Sequence, residues 1–312
     1  MDVTEPDQAW TPPEPLAITA ALIEAGLRVD PETIELLPRD DRLAVRLPED
    51  RMAWFPGNAR GLRRLERERR VLGLIARHCE FTAPRIIHTS NAGWDVRALV
   101  AGEFNPIKVY ERVTVDRSFA RKVGQGLGSI LVQLHTAIAI EALSGGWLPV
   151  RPSWPPPLAF AERRLPKVTD DQALIERALN LLARYEAAED AVVERVLGHT
   201  DLGFHNAVID PASGAVAGVF DFDGAAYCDA HHDFRYFLLD NEDEAVFEAA
   251  LSVYEPATAK TVDRDRVRLV NAACAVSFLA FRAGASANET PAGRTLAEDL
   301  RWTSMALARA NG

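Results

Sequence analysis

The chain has 312 residues, 48% hydrophobic and 26% charged. That balance fits one large or two moderate globular domains and excludes a disordered or collagen-like chain. Asp and Glu outnumber Lys and Arg by 45 to 35, giving a net charge of −10. This argues against sequence-independent nucleic-acid binding, which needs a basic footprint, and favours a cationic small molecule as partner.

Residues 1–15 are acidic and proline-bearing, and they predict a flexible arm rather than a signal peptide. A short helix closed by glycine is expected over 16–26. Three short strands follow over 33–37, 43–47 and 52–55, separated by the turn-like Pro38-Arg39-Asp40-Asp41 and Pro48-Glu49-Asp50. Leu62, Leu65, Val71, Leu72 and Ile75 give residues 61–78 a periodic apolar face and predict a helix. Two more strands are expected over 85–88 and 95–100. The polar stretch 102–106 reads as a hinge, so residues 16–102 form a small strand-rich lobe and 103–312 a larger, mainly helical one.

In the larger lobe, helices are expected over 119–139 and 171–188, with a rigid proline loop at 152–157 between them. An apolar run at 192–197 leads into the densest polar cluster of the chain. Strands over 207–209 and 217–222 then flank the turn Asp210-Pro211-Ala212-Ser213-Gly214, and helices fill the remainder. The apolar run 270–281 is too short to cross a bilayer and carries Asn271 and Ser277, so it reads as a buried helix and not a membrane span. Cys79, Cys228 and Cys274 are odd in number, far apart and in no Cys-x-x-Cys pair. They predict no disulfide framework and fit a reducing cytoplasm.

The polar cluster is His199-Thr200-Asp201-Leu202-Gly203-Phe204-His205-Asn206, followed by Asp221-Phe222-Asp223. A hairpin brings its two ends together, so Asn206 and Asp221 are expected to converge. An amide oxygen and a carboxylate are hard ligands, and Mg²⁺ takes few such ligands together with substrate phosphates. Asp201 is then free to accept or orient the proton of an attacking hydroxyl. Those are the parts a phosphoryl transfer needs. His199 is expected to brace the loop, Asp229 to support it, Asp233 to cap a helix, and Asp223 offers a second metal contact. A metal hydrolase using His199, Asp201 and His205 with His231 or His232 is a competing reading, although zinc sites show tighter His spacing and a recognisable fourth ligand.

His199-x-Asp201-x-x-x-x-Asn206, then Val219-Phe220-Asp221-Phe222, then Asp229-x-x-x-Asp233, resembles the catalytic loop and metal aspartate of protein-kinase-like enzymes. The resemblance is to the aminoglycoside phosphotransferase and choline kinase group. Leu65-Glu66-Arg67-Glu68 is similar to the family helix whose glutamate, here Glu68, pairs with a strand cation; Leu131-Val132-Gln133-Leu134-His135 is similar to the family's Leu-x-x-Leu-His helix end. The resemblance implies an α+β, two-lobed kinase-like fold with residues 16–102 as nucleotide-binding lobe and 103–312 as catalytic and acceptor lobe. It implies a phosphotransferase moving the γ-phosphate of ATP or GTP, with Mg²⁺, to a hydroxyl of a cationic, aminoglycoside-like acceptor. Asp201 would be the base, Asn206 and Asp221 the metal ligands, and the main chain from Ala98 to Val100 the hinge contact to the nucleotide base.

The chain departs from the family pattern in the small lobe. The strand position fourteen residues before Glu68 is Trp54, which cannot neutralise phosphate charge but offers a ring to stack on a purine or on an acceptor ring; Arg46 on the neighbouring strand is the expected substitute for the cation. The loop at 38–41 has no glycine, and its carboxylates would repel phosphates. These departures motivate an alternative, a non-catalytic kinase-like binding protein. Gly124-Gln125-Gly126-Leu127-Gly128 follows a helix and not a strand, so its glycines read as close helix packing rather than a dinucleotide loop. The acidic run Asp240, Glu242, Asp243, Glu244, Glu248 and Glu255 reads first as a solvated helix face, with a cation-attracting wall beside the site as the functional alternative.

Overall fold

The computed structural model describes residues 14–27, 29–30, 32, 34–39, 41–238, 243–284 and 294–310. Most of the expected 1–15 arm, Asp40 of the first turn, and Asp240 and Glu242 of the acidic run lie outside them. Helix α1 (Pro15–Glu24) precedes strands β1 (Glu35–Arg39), β2 (Arg42–Leu47) and β3 (Arg51–Pro56). Helix α2 (Ala59–His78) follows, then β4 (Arg85–Thr89) and β5 (Asp95–Ala98). The five strands form one antiparallel sheet in the order β1-β2-β3-β5-β4. Alternation along the strands decides its faces. Leu43, Val45, Leu47, Ala53, Phe55 and Val96 pack with Ile18 and Leu22 of α1 in one buried cluster. Arg42, Trp54 and Arg97 occupy the alternate positions. Asn58 caps α2 by accepting the Gly61 N–H, and Arg77 and His78 suit the negative end of its dipole.

The second lobe begins with α3 (Pro106–Val115), where only a hinge was expected. Asn105 caps it by accepting the Lys108 N–H, and Pro106 stands in the first turn, where proline costs no hydrogen bond. Then come α4 (Arg117–Thr136), the single turn α5 (Ile140–Leu143), α6 (Leu158–Arg164) and α7 (Gln172–Asp190). The strands β6 (Val196–Gly198), β7 (Ala207–Ile209), β8 (Val216–Val219) and β9 (Ala226–Cys228) form two small ladders, β6 with β9 and β7 with β8. Helices α8 (Ala245–Thr258), α9 (Arg264–Phe281) and α10 (Leu296–Arg309) complete the chain. The apolar run 270–281 lies in α9, which is long and apolar enough to cross a membrane but is mostly buried inside the protein. Val270, Ala273, Val276 and Leu279 of α9 pack with α7 and α10. All three cysteines are free.

The lobes meet along α2 and the β7–β8 hairpin. Val71, Leu72, Leu74 and Ile75 of α2 share a buried cluster with Leu127, Leu131, Phe222 and Phe234 of the second lobe. Thr82, between α2 and β4, accepts the Val219 N–H at 3.0 Å. A Cβ at Gly218 would stand 2.3 Å from that same Thr82 carbonyl, so only glycine admits the close approach.

Candidate functional site

The site is built on the segment between β6 and β9. Gly198 ends β6, and Thr200 turns the chain with φ +67°. Asp233, itself fully buried, accepts the His199 N–H at 2.9 Å and the Thr200 N–H at 2.6 Å. His135, at the end of α4, bonds the same Oδ2 that accepts the His199 N–H, at 2.9 Å, and reaches the Tyr254 hydroxyl at 2.9 Å. The anticipated roles of the two later aspartates are therefore exchanged. Asp233 supports the loop, whereas Asp229 caps the following turn by accepting the His231 N–H and pairs with Arg266 at 2.6 Å. Burial opposes the charge of Asp233, but His135 and the loop N–H groups hold its carboxyl below the usual range.

His199 is buried and braces the loop. Its Nε2 lies 2.9 Å from the Phe220 carbonyl, and its Nδ1 accepts the Asp201 N–H at 3.3 Å. Asp201 stands past this brace with its carboxyl partly open to solvent. The Asn206 amide donates to both the Asp201 main-chain oxygen (2.9 Å) and Oδ2 (3.0 Å). That fixes the amide with its nitrogen spent, leaving its carbonyl oxygen for another partner. Burial raises the Asp201 carboxyl, but His205 (3.5 Å), the buried Arg235 (3.7 Å) and His199 bring it below the ordinary value.

Asp221 joins this group through the hairpin. The Phe220 N–H donates to the Asn206 main-chain carbonyl at 3.0 Å, and Asp221 then adopts a left-handed conformation, φ +67°. Such strain in a non-glycine residue persists only where its surroundings impose it. Asp221 lines the cleft with its surface open to solvent, yet it is hemmed in by protein. Partial desolvation, then Asp223, Glu68 and Asp201, push its carboxyl up, and Arg42 opposes them. A hard cation would relieve this crowding, so Asn206 and Asp221 suit a magnesium ion. Among the described residues, no group of three or more His, Cys, Asp or Glu side chains is arranged to hold a metal, so the imidazole centre of a metal hydrolase is not assembled. His231 instead bonds Asp229 (2.5 Å) and accepts the Asp263 N–H.

On the facing lobe, Glu68 is buried and pairs with Arg97 of β5 at 2.7 Å, with Arg42 of β2 at 3.6 Å. Arg46 does not take part. It lies on the same face of β2 as Arg42 but is exposed, and Glu68 pairs with Arg97 and Arg42 instead, which corrects the expected substitution. Trp54 lies between the two arginines, whose guanidinium carbons stand 5.0 and 5.6 Å from its ring centre. Asp223 is no second metal contact either: its carboxylate is held by Arg42 and Arg64, and its main-chain oxygen by Arg67 at 2.8 Å. Ala98 lies inside the sheet opposite Arg51 and Arg85, and Val100 is buried at the junction of the lobes, its Cγ1 beside Gly218. The described part of the acidic run is no free wall: Asp243 pairs with Arg117, Glu244 with Arg268, and Glu248 and Glu255 with Arg264. Sequence reading missed Arg42 and Arg97 as members of this arrangement, and it met His135 only as the end of a helix motif, without its bond to Asp233. The one local signal for Arg97 is Asp95-Val96-Arg97, which puts two charges on the face opposite a core valine.

A strand-rich lobe over a helical one, with this loop in the cleft, defines a kinase-like fold. Residues 24–270 match the phosphotransferase enzyme family, and the chain belongs to it. No curated protein matches the sequence. Among solved structures, the GDP and kanamycin complex of APH(2")-IIia is similar with a TM-score of 0.68 and 18% identity, over 95% of this chain and 97% of that one. The apoenzyme of macrolide 2'-phosphotransferase MphH from Brachybacterium faecium is similar at 0.62 and 20%, over 95% and 98%. The streptomycin-ATP-APH(2")-IIa ternary complex is similar at 0.63 and 13%, over 96% and 97%.

Proposed function

We propose that the protein transfers the γ-phosphoryl group of ATP or GTP to a hydroxyl of a cationic small molecule, one resembling an aminoglycoside. The observation that carries this is the joint placement of Asp201, Asn206 and Asp221 in one cleft, with Asn206 hydrogen-bonded to Asp201 and Asp221 held in a strained turn. Similar structures bound to GDP with kanamycin and to ATP with streptomycin support the substrate classes, and the net charge of −10 suits a cationic acceptor.

In this reading Asp201 receives the acceptor hydroxyl against its carboxylate. The hydroxyl oxygen bonds to the γ-phosphorus, the bond from that phosphorus to the β–γ bridging oxygen breaks, and the hydroxyl proton passes to Asp201. A carboxyl kept below its usual range is ionised at neutral pH and ready to accept that hydrogen bond. Asn206 and Asp221 would hold Mg²⁺, which supplies charge neutralisation to the phosphates. The main chain from Ala98 to Val100 would meet the nucleotide base. Glu68 anchors the arginines on the roof of the cleft, and Trp54 spaces them.

Asp201→Ala should lower kcat by about 10²-fold or more, as expected for loss of a general base, while the protein still folds and binds nucleotide. Turnover retained in Asp201→Ala would remove Asp201 from this role. The binding-protein alternative predicts nucleotide or acceptor binding with no transfer in the wild type, so the same assay separates the two.

A further inference from the structure

The family pattern reserves a strand cation for the nucleotide phosphates, and this chain has Trp54 there. The structure holds cations on either side of it. Arg97 is 2% exposed and fully engaged by Glu68 and Asp95, so it is a fixed support. Arg42 differs. It is 5% exposed, and its one side-chain hydrogen bond among the described residues runs from Nη2 to Asp223; Nη1 is 3.6 Å from Glu68 and Nε 3.5 Å from Asp41, both ion pairs without a hydrogen bond. Arg64 and Arg67 flank it on the same carboxylate and carbonyl.

Five guanidiniums (Arg42, Arg60, Arg64, Arg69 and Arg97) share four carboxylates (Asp41, Glu68, Asp95 and Asp223), and Arg67 joins them through the Asp223 main-chain oxygen. Asp221 stands beside this network, close enough for Arg42, Asp223 and Glu68 all to act on its charge. A guanidinium has five donors in a planar fork that matches phosphate oxygens. We propose that Arg42 has taken over the missing strand cation: it contacts the polyphosphate of a nucleoside triphosphate, with Trp54 and the Glu68–Arg97 pair fixing it from behind. Arg42 is a binding residue, Arg97 and Trp54 positioning residues. The inference rests on the phosphotransfer reading above and names which part of the chain supplies its phosphate contact.

The test is calorimetric binding of MgATP and MgGTP, and of adenosine and guanosine, to the whole protein. The nucleosides report base binding alone, so the ratio of triphosphate to nucleoside affinity reads the phosphate contact. Arg42→Met should weaken triphosphate binding about 10- to 100-fold, the worth of a charged hydrogen bond, and leave nucleoside binding within about twofold. Adding Trp54→Arg to Arg42→Met returns a cation to the family position and should restore triphosphate affinity, which a purely structural loss would not. Arg85→Met, an exposed arginine on the far strand β4, should change neither affinity. If Arg42→Met does not fold, Arg42→Lys replaces it, with a smaller loss confined to the triphosphate. Triphosphate affinity unchanged in a folded Arg42 variant would overturn the proposal. A wild type that binds no triphosphate would instead overturn the phosphotransfer reading beneath it.

Discussion

Asp233 is fully buried, and its carboxylate accepts hydrogen bonds from the His199 and Thr200 main chain and from His135. Removing it strands two buried N–H groups and a buried imidazole. Asp233→Ala should therefore cost about 2–5 kcal/mol in chemical denaturation at neutral pH. The pH dependence has a definite sign. The folded carboxyl is held below its unfolded value, so its contribution is present above the ordinary carboxylate range and fades as pH falls through the folded value. Stability curves of wild type and Asp233→Ala should thus converge below about pH 4; a gap that widens on acidification would contradict this account. The spacing of His199, Asp201 and Asn206 is legible in sequence because those residues lie within one loop. The partners of Glu68 are not: Arg97 stands on another strand, and Asp223, which Arg42 grips, is 181 residues from it. Several arginines follow the first turn, and nothing local distinguishes Arg42 from Arg46. Strand alternation puts both on one face of β2, and only the twist and α2 decide which is covered.

At the scale of elements, α4 and α8 lie unusually close. A Cβ at Gly124 would come 2.3 Å from the Val246 carbonyl, and one at Gly128 2.5 Å from the Ala250 carbonyl. The glycine-rich stretch in α4 is thus a packing seam, as its helical context suggests. Gly128→Ala should destabilise the protein by about 1–3 kcal/mol, the cost of overpacking a filled interface. Gly73 in α2 meets only the flexible end of Arg77 at 3.7 Å. Gly73→Ala should be stabilising by about 0.5–1 kcal/mol, through helix propensity alone. Equal effects of the two substitutions would show that the α4–α8 contact does not constrain the fold. Long periodic elements such as α2, α4 and α7 are legible in sequence because their apolar faces repeat. Helix α3 hides behind Asn105-Pro106, which reads as a turn until the cap is seen. Strand β9 has three residues and exists only because β6 offers it a partner.

At the scale of the whole molecule, the two lobes are tied from both sides of the cleft. Thr82 reaches across to Val219, and Asp223 reaches back to Arg42, Arg64 and Arg67. The element that carries Asp221 is thereby fastened to the lobe that carries Glu68 and Trp54. A phosphate chain bound between them would touch both. The division into a strand-rich and a helical lobe follows from pattern changes near residue 102, whereas the closure of one on the other depends on pairs far apart in the chain. The central claim is that this cleft binds a nucleotide through a magnesium ion held by Asn206 and Asp221. The most direct test is a thermal and chemical stability measurement with ATP or GTP, each with and without Mg²⁺, on wild type and Asp221→Ala. At about 100 times its Kd, a bound nucleotide should stabilise the wild type by roughly 2.7 kcal/mol. The account predicts this gain only with Mg²⁺ present and its loss in Asp221→Ala. Stabilisation by neither nucleotide, or stabilisation indifferent to both Mg²⁺ and Asp221, would contradict it.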